Sequence, residues 1–130
     1  MSGETNLSIL LQSLQPQLQE GVYVFCTIPE HHPIPVDKVL FFFREEEGIS
    51  LILTQENAES LSIPYSYAAA WISLQVHSSL EAVGLTAAFS HALTQAGISC
   101  NVVAGYYHDH IFVAYSQAHA AMEVLNALRK

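Results

Sequence analysis

A chain of 130 residues, 51% of them hydrophobic, has the length and apolar content for one ordinary domain or two very small ones sharing a core. Twelve acidic residues against four basic ones give a net charge of −8, and the basic residues Lys38, Arg44, Arg129 and Lys130 are scattered or terminal. No stripe of positive charge can meet phosphates, which argues against nucleic acid or an anionic membrane as a partner.

The opening "MSGETN" lacks the basic start and apolar core of a signal peptide, and no apolar run reaches the length of a membrane span. A cytoplasmic protein is expected. "NLSILLQSLQPQL" sets Leu7, Leu10, Leu11, Leu14 and Leu18 at helical intervals and predicts a helix over residues 7–15, stopped by Pro16. "GVYVFCTI", bounded by Gly21 and Pro29, reads as a strand, and "PEHHPIPVD" as a loop. "KVLFFFREEEGISLILT" is a β-hairpin with Glu45 to Glu47 at a solvated tip. Thr54 is the candidate N-cap of a short helix in "QENAESL", and "SIPYSYAA" leads to the second half.

"AWISLQV" alternates Ile72, Leu74 and Val76 with Ser73 and Gln75, the pattern of a strand covered on one face. "SSLEAVGLTAAFSHALTQAG" predicts a helix with Ala82, Leu85, Phe89, Ala92, Leu93 and Ala96 on its apolar side and Gly97 at its stop. Ser78 and Glu81 have the spacing of a capping box. "ISCNVVA" and "HIFVAY" are strands, and "SQAHAAMEVLNAL" is a last helix burying Ala118, Ala121, Met122, Leu125 and Leu128. Strand, helix, strand, strand, helix is a ferredoxin-like βαββαβ unit lacking its last strand, which an upstream segment should supply. At an offset of 62, Ile49, Leu51, Thr54, Gln55 and Ala58 align with Ile111, Val113, Ser116, Gln117 and Ala120, suggesting an internal duplication.

Candidate chemistry is sparse. Cys26 and Cys100 lie in strand-like runs without CxxC spacing and read as buried thiols. In "GYYHDHIFV", Asp109 is expected at the tip of a tight hairpin with His108 and His110 beside it. Two histidines at i and i+2 could share a metal, but no nearby ligands complete a four-coordinate site. His108 and Asp109 could pair as a base and its orienting group, yet no nucleophile stands in a recognisable context, so no catalytic residue is assigned.

"SSLEAVGLTAAFSHALTQAGISCNVVAGYYHDHIFV" resembles the core of the ACT domain, a small-molecule-sensing module of amino-acid metabolism. The matching pieces are the polar turn ending in Val83-Gly84, Leu93 four residues before Gly97, "GISCN", and the hairpin into "IFV". Over nearly its whole length the chain resembles uncharacterised bacterial ACT-type proteins with two fused ACT-like halves. The resemblance implies an α+β fold of two ferredoxin-like halves, antiparallel sheets with helices on one face. A degenerate N-terminal half would span residues 1–66 and a C-terminal ACT domain residues 67–130.

It further implies an effector bound at an interface, against Ser78, Ser79, Leu80, Val83 and Gly84, with Cys100 and Asn101 approaching from the neighbouring strand. Many amino-acid-binding members carry Asp where this chain has Ser78 or Ser79, which leaves a ligand ammonium group to Glu81 or Asp109. The expected protein is a homo-oligomeric sensor that binds an amino acid, uses no cofactor, catalyses nothing and acts on a metabolic enzyme. One alternative is a protein-interaction module with an empty ancestral pocket. The other is a metal-responsive protein using His108 and His110.

Overall fold

The computed structural model describes residues 6–75 and 82–129. The chain runs α1 (Leu7–Gln12), β1 (Pro16–Leu18), β2 (Tyr23–Ile28), β3 (Phe41–Arg44), β4 (Ile49–Thr54), α2 (Gln55–Ser60), β5 (Tyr67–Leu74), α3 (Leu85–Gln95), β6 (Asn101–Ala104), β7 (Asp109–Ala114) and α4 (Ala118–Ala127). It divides into two compact units, Gly21–Ala69 and a second made of Met1–Glu20 with Ala70–Lys130.

In the unit Gly21–Ala69, β2 pairs antiparallel with β4 from Tyr23↔Thr54 to Ile28↔Ile49, and with residues 67–69 of β5 on its other side. With β3 beyond β4, the strands stand in the order β3-β4-β2-β5. This is the second-third-first-fourth order of a ferredoxin-like sheet. Alternate residues make the core, because side chains of a strand point to opposite faces: Val24, Cys26 and Ile28 meet Ile49, Leu51 and Leu53, closed by Ala58 and Ile63. Thr54 caps α2 as expected, its hydroxyl accepting from the Asn57 N–H at 3.1 Å. The helix that should follow the first strand is missing. Only a 3-10 turn, Val36–Lys38, separates β2 from β3.

The second unit completes the same pattern. β6 pairs with β7 from Asn101↔Phe112 to Ala104↔Asp109, and β7 neighbours β5. The missing fourth strand is supplied from upstream: β1 pairs antiparallel with β5 as Pro16↔Leu74, Gln17↔Ser73 and Leu18↔Ile72. Three helices cover one face of this sheet. Leu10 and Leu14, Leu85, Phe89 and Leu93, and Ala118, Ala121 and Leu125 pack on Ala70, Ile72, Leu74, Ile111 and Val113. Gly97, at φ +75°, ends α3 in a Schellman turn in which the Gly97 N–H bonds Thr94 O and the Ile98 N–H bonds Leu93 O, both at 2.9 Å.

Several sequence expectations shift. α1 stops at Gln12, short of residue 15, because the residue before Pro16 is pushed out of helical geometry and the chain must extend into β1. Ser73 is 2% exposed despite its place among the polar positions of β5, its hydroxyl accepting from the side-chain amides of Gln19 (2.9 Å) and Gln75 (2.7 Å). The predicted helix from Ser78 begins only at Leu85, with Gly84 as its N-cap; Ala82 precedes it and Ala96 is exposed. The duplicated hairpins align at an offset of 60 rather than 62, because Glu45 N–H to Gly48 O and Gly105 N–H to His108 O close equivalent tips.

Candidate functional site

The segment that carries most of the expected site joins β5 to α3. Ser78, Ser79, Leu80 and Glu81 lie outside the described residues, and with them the capping box. Val83 is 84% exposed, and Gly84 sits at φ +102°, a left-handed conformation that ordinary side chains adopt at a cost. A Cβ on Gly84 would lie 3.1 Å from Cδ2 of Leu7, so the glycine also admits the first residue of α1. Gly84 is the N-cap of α3 rather than a residue within the predicted helix. The first intrahelical bond runs from the Ala88 N–H to Gly84 O at 2.9 Å. Among the described residues this eleven-residue helix has no side-chain cap and no acidic residue in its first turn, a setting that suits an anion.

Cys100 and Asn101 stand together where β6 begins. Cys100 precedes the strand rather than lying in it, half-buried against the core of its unit, and burial pushes its thiol up. Asn101 is exposed but donates its side-chain amide to Phe112 O at 3.3 Å, which ties it to the ladder it opens. Asp109 does not share this end of the sheet. Asn101↔Phe112 and Ala104↔Asp109 are the terminal pairs of the β6-β7 ladder, which separates the two residues by roughly 10 Å along the strands.

Nor is Asp109 at the hairpin tip. The tip consists of Tyr106 and Tyr107, ring centroids 4.9 Å apart, with Gly105 and His108 closing it; Asp109 already belongs to β7. A Cβ on Gly105 would come within 2.9 Å of His108 O and 3.2 Å of His110 Nε2, so the turn needs glycine to let the histidine pass. Burial raises the Asp109 carboxyl, against the opposing influence of the His110 and His108 charges. Burial lowers His110, and the His108 charge adds to that.

Alternation on β7 sends Asp109 to the side of Ile111 and Val113, and His110 to the side of Phe112. His110 Nδ1 accepts the indole N–H of Trp71 at 3.1 Å, which occupies that nitrogen. Among the described residues, His108 Nδ1 is buried with no hydrogen-bond partner. Among the described residues, no three His, Cys, Asp or Glu side chains gather where a metal ion could be held. The Trp71–His110 and Ser73–Gln19 contacts escaped sequence reading because their partners are 39 and 54 residues apart, beyond the reach of any local pattern.

Comparison with known proteins bears on both halves. ACT domain models match residues 2–70 and residues 66–127. A crystal structure of a Vibrio cholerae protein of unknown function, described as a possible transport protein, is 44% identical, with a TM-score of 0.83 over 95% of this chain and 96% of that one. An Agrobacterium tumefaciens protein, 14% identical, superposes with a TM-score of 0.71 over 89% of each chain. The ligand-free regulatory subunit of aspartate kinase from Thermus thermophilus, 9% identical, does so with a TM-score of 0.62 over 91% of this chain and 99% of that one. The last two similarities show the fold alone. No curated protein matches the chain. Among the described residues, no helix is long and apolar enough to cross a membrane.

Proposed function

Because the chain belongs to the ACT domain family, matched over both halves, we propose that it is a regulatory protein that binds a small-molecule effector, an amino acid above all, without transforming it. The observation that carries this reading is the start of α3. There Gly84 takes a left-handed conformation, Val83 is exposed, and the first turn of the helix carries no acidic residue. A carboxylate suits such a place by charge and by hydrogen bonding.

The proposed ligand contacts are Ser78, Ser79, Leu80, Glu81, Val83 and Gly84, together with Cys100 and Asn101. Glu81 meets a ligand ammonium group, while Asp109 joins only for a ligand that spans the ladder. The protein acts as a homo-oligomer in the cytoplasm, on a metabolic enzyme. The duplication divides the sequence into residues 1–66 and 67–130, although β1 of the first half folds into the second unit, where residues 16–18 pair with residues 72–74 of β5.

A thermal-shift and calorimetric screen of the common amino acids tests the reading. A saturable amino-acid ligand whose binding weakens on Glu81→Gln supports it. Stabilisation by divalent metals alone, lost with His108→Gln and His110→Gln, would replace it with the metal-responsive alternative. No ligand at all, with a partner enzyme retained on the immobilised protein, would favour the interaction module, a reading also served by exposed Phe43, Tyr106 and Tyr107.

A further inference from the structure

In the unit Gly21–Ala69 a loop stands in place of the helix that would follow the first strand, with Ile34 and Val39 packed on the core. An open pocket of about 280 Å³ remains, lined by His32, Pro33, Ile34, Pro35, Leu61 and Ile63. That is near the lower end of the range for small-molecule sites and roughly the room taken by nine waters.

Both walls are held in place. Leu61 and Ile63 flank Ser62, which at φ +57° ends α2 in a Schellman turn: the Ser62 N–H bonds Glu59 O at 3.1 Å and the Ile63 N–H bonds Ala58 O at 2.9 Å. Ile63 is part of the buried core, and Leu61 and Ile34 pack against it. On the other side, Pro33 and Pro35 fix their own backbone angles, and the His32 N–H closes a turn onto Pro29 O at 3.0 Å. The pocket is thus preformed, which spares a ligand the cost of ordering it.

Its chemistry is selective. None of the six lining side chains carries a fixed charge, and His32 is the one with hydrogen-bonding atoms. His32 Nδ1 lies 2.9 Å from Pro33 O. A carbonyl oxygen can only accept, so Nδ1 carries a proton and Nε2 is the ring atom left to serve as an acceptor.

We propose that this pocket is a second ligand site, separate from the effector site at the start of α3, for a free, uncharged, compact apolar molecule bearing one N–H or O–H donor. The apolar body lies on Ile34, Leu61 and Ile63, and its donor reaches His32 Nε2. An α-amino acid does not belong here, because its two charges would meet no partner in an apolar wall.

Indole and 1-methylindole, nearly equal in shape but only the first a donor, are suitable probes for titration of the full-length protein by amide-resolved NMR at pH 8. Indole should shift the Ile34, Leu61, Ser62 and Ile63 resonances saturably, and 1-methylindole should bind about five- to tenfold more weakly, as loss of one neutral hydrogen bond requires. His32→Phe should erase that difference. Leu61→Trp, or Ile34→Phe should the first variant not fold, should fill the pocket and abolish the shifts in a protein with an otherwise native spectrum. Absence of saturable shifts in the wild type, equal affinity for the two probes, or undiminished binding in a folded pocket-filled variant would each overturn the proposal.

Discussion

Trp71 on β5 donates its indole N–H to Nδ1 of His110 on β7 at 3.1 Å, and its ring stacks on Phe112 with centroids 6.4 Å apart. The bond requires an unprotonated Nδ1, since an imidazolium has no lone pair to offer. Burial has already lowered the affinity of His110 for a proton below the ordinary value of 6.5. The stability this arrangement contributes is therefore present above pH 6.5, and is lost as pH falls through the lowered value, because the unfolded chain takes up the proton first. Fluorescence of the single tryptophan should titrate in that acidic window. His110→Phe should abolish the step and cost about 1 kcal/mol at pH 7.5 for the hydrogen bond. A fluorescence profile that keeps its shape in the variant would assign the titration to another group.

Asp109 works in the opposite direction. Its carboxyl is raised by burial, so its contribution is full below its ordinary value near 3.8 and is lost as pH rises through the raised one. At neutral pH the ionised group is a burden to the fold. Asp109→Asn should leave stability unchanged or raise it, by up to about 0.5 kcal/mol, as measured by urea unfolding at pH 7, and should flatten the pH dependence in the acidic range. Destabilisation by more than about 1 kcal/mol would mean that the carboxylate has a partner the fold depends on.

Two glycines separate backbone strain from side-chain contact. Gly97 is at φ +75° with nothing within 4 Å of a Cβ, whereas Gly84 is at φ +102° with Leu7 Cδ2 at 3.1 Å. Gly97→Ala should cost about 1 kcal/mol, the ordinary penalty of a left-handed alanine. Gly84→Ala should cost more, about 1–3 kcal/mol, and the excess should shrink in a Leu7→Ala background, where the contact is gone but the backbone angle remains. A double-mutant cycle by urea unfolding measures both terms. Equal costs at the two glycines would show that Leu7 simply moves aside. Gly84→Val, β-branched at a left-handed position, should compromise folding itself, so alanine is the substitution of choice.

The thiols differ in access. Cys26 is buried within the β2 core, Cys100 is only half-buried, and burial raises both. In the native protein Cys100 should react with a bulky disulfide reagent before Cys26, both sluggishly at pH 7 and faster as pH rises. Cys26→Ala should cost about 1 kcal/mol, as a small truncation of a packed core does. Fast labelling of Cys26 at neutral pH would contradict its place beneath the sheet.

The sequence by itself determined the pieces whose physics is local. Apolar runs bounded by turn residues announced β2, β4 and β7, and alternation announced β5. Thr54 marked the start of α2, Gly97 the end of α3, and the strand-helix-strand-strand-helix order the ferredoxin-like unit with a strand to be found upstream. Only the tertiary structure decided which segment that was, because three residues beginning with Pro16 carry no strand signal until Ile72 and Leu74 offer them an edge. It moved Asp109 from the hairpin tip into β7, since pairing with Ala104 leaves Tyr106 and Tyr107 to turn the chain. It buried Ser73 under two glutamines and joined Trp71 to His110 across the sheet. It also brought the loop residues His32 to Pro35 against Leu61 and Ile63 as a pocket, a meeting of segments distant in sequence that no local pattern carries. Local periodicity is set by neighbours a few residues away, whereas registers, buried polar pairs and cavities depend on residues that meet only once the chain has folded.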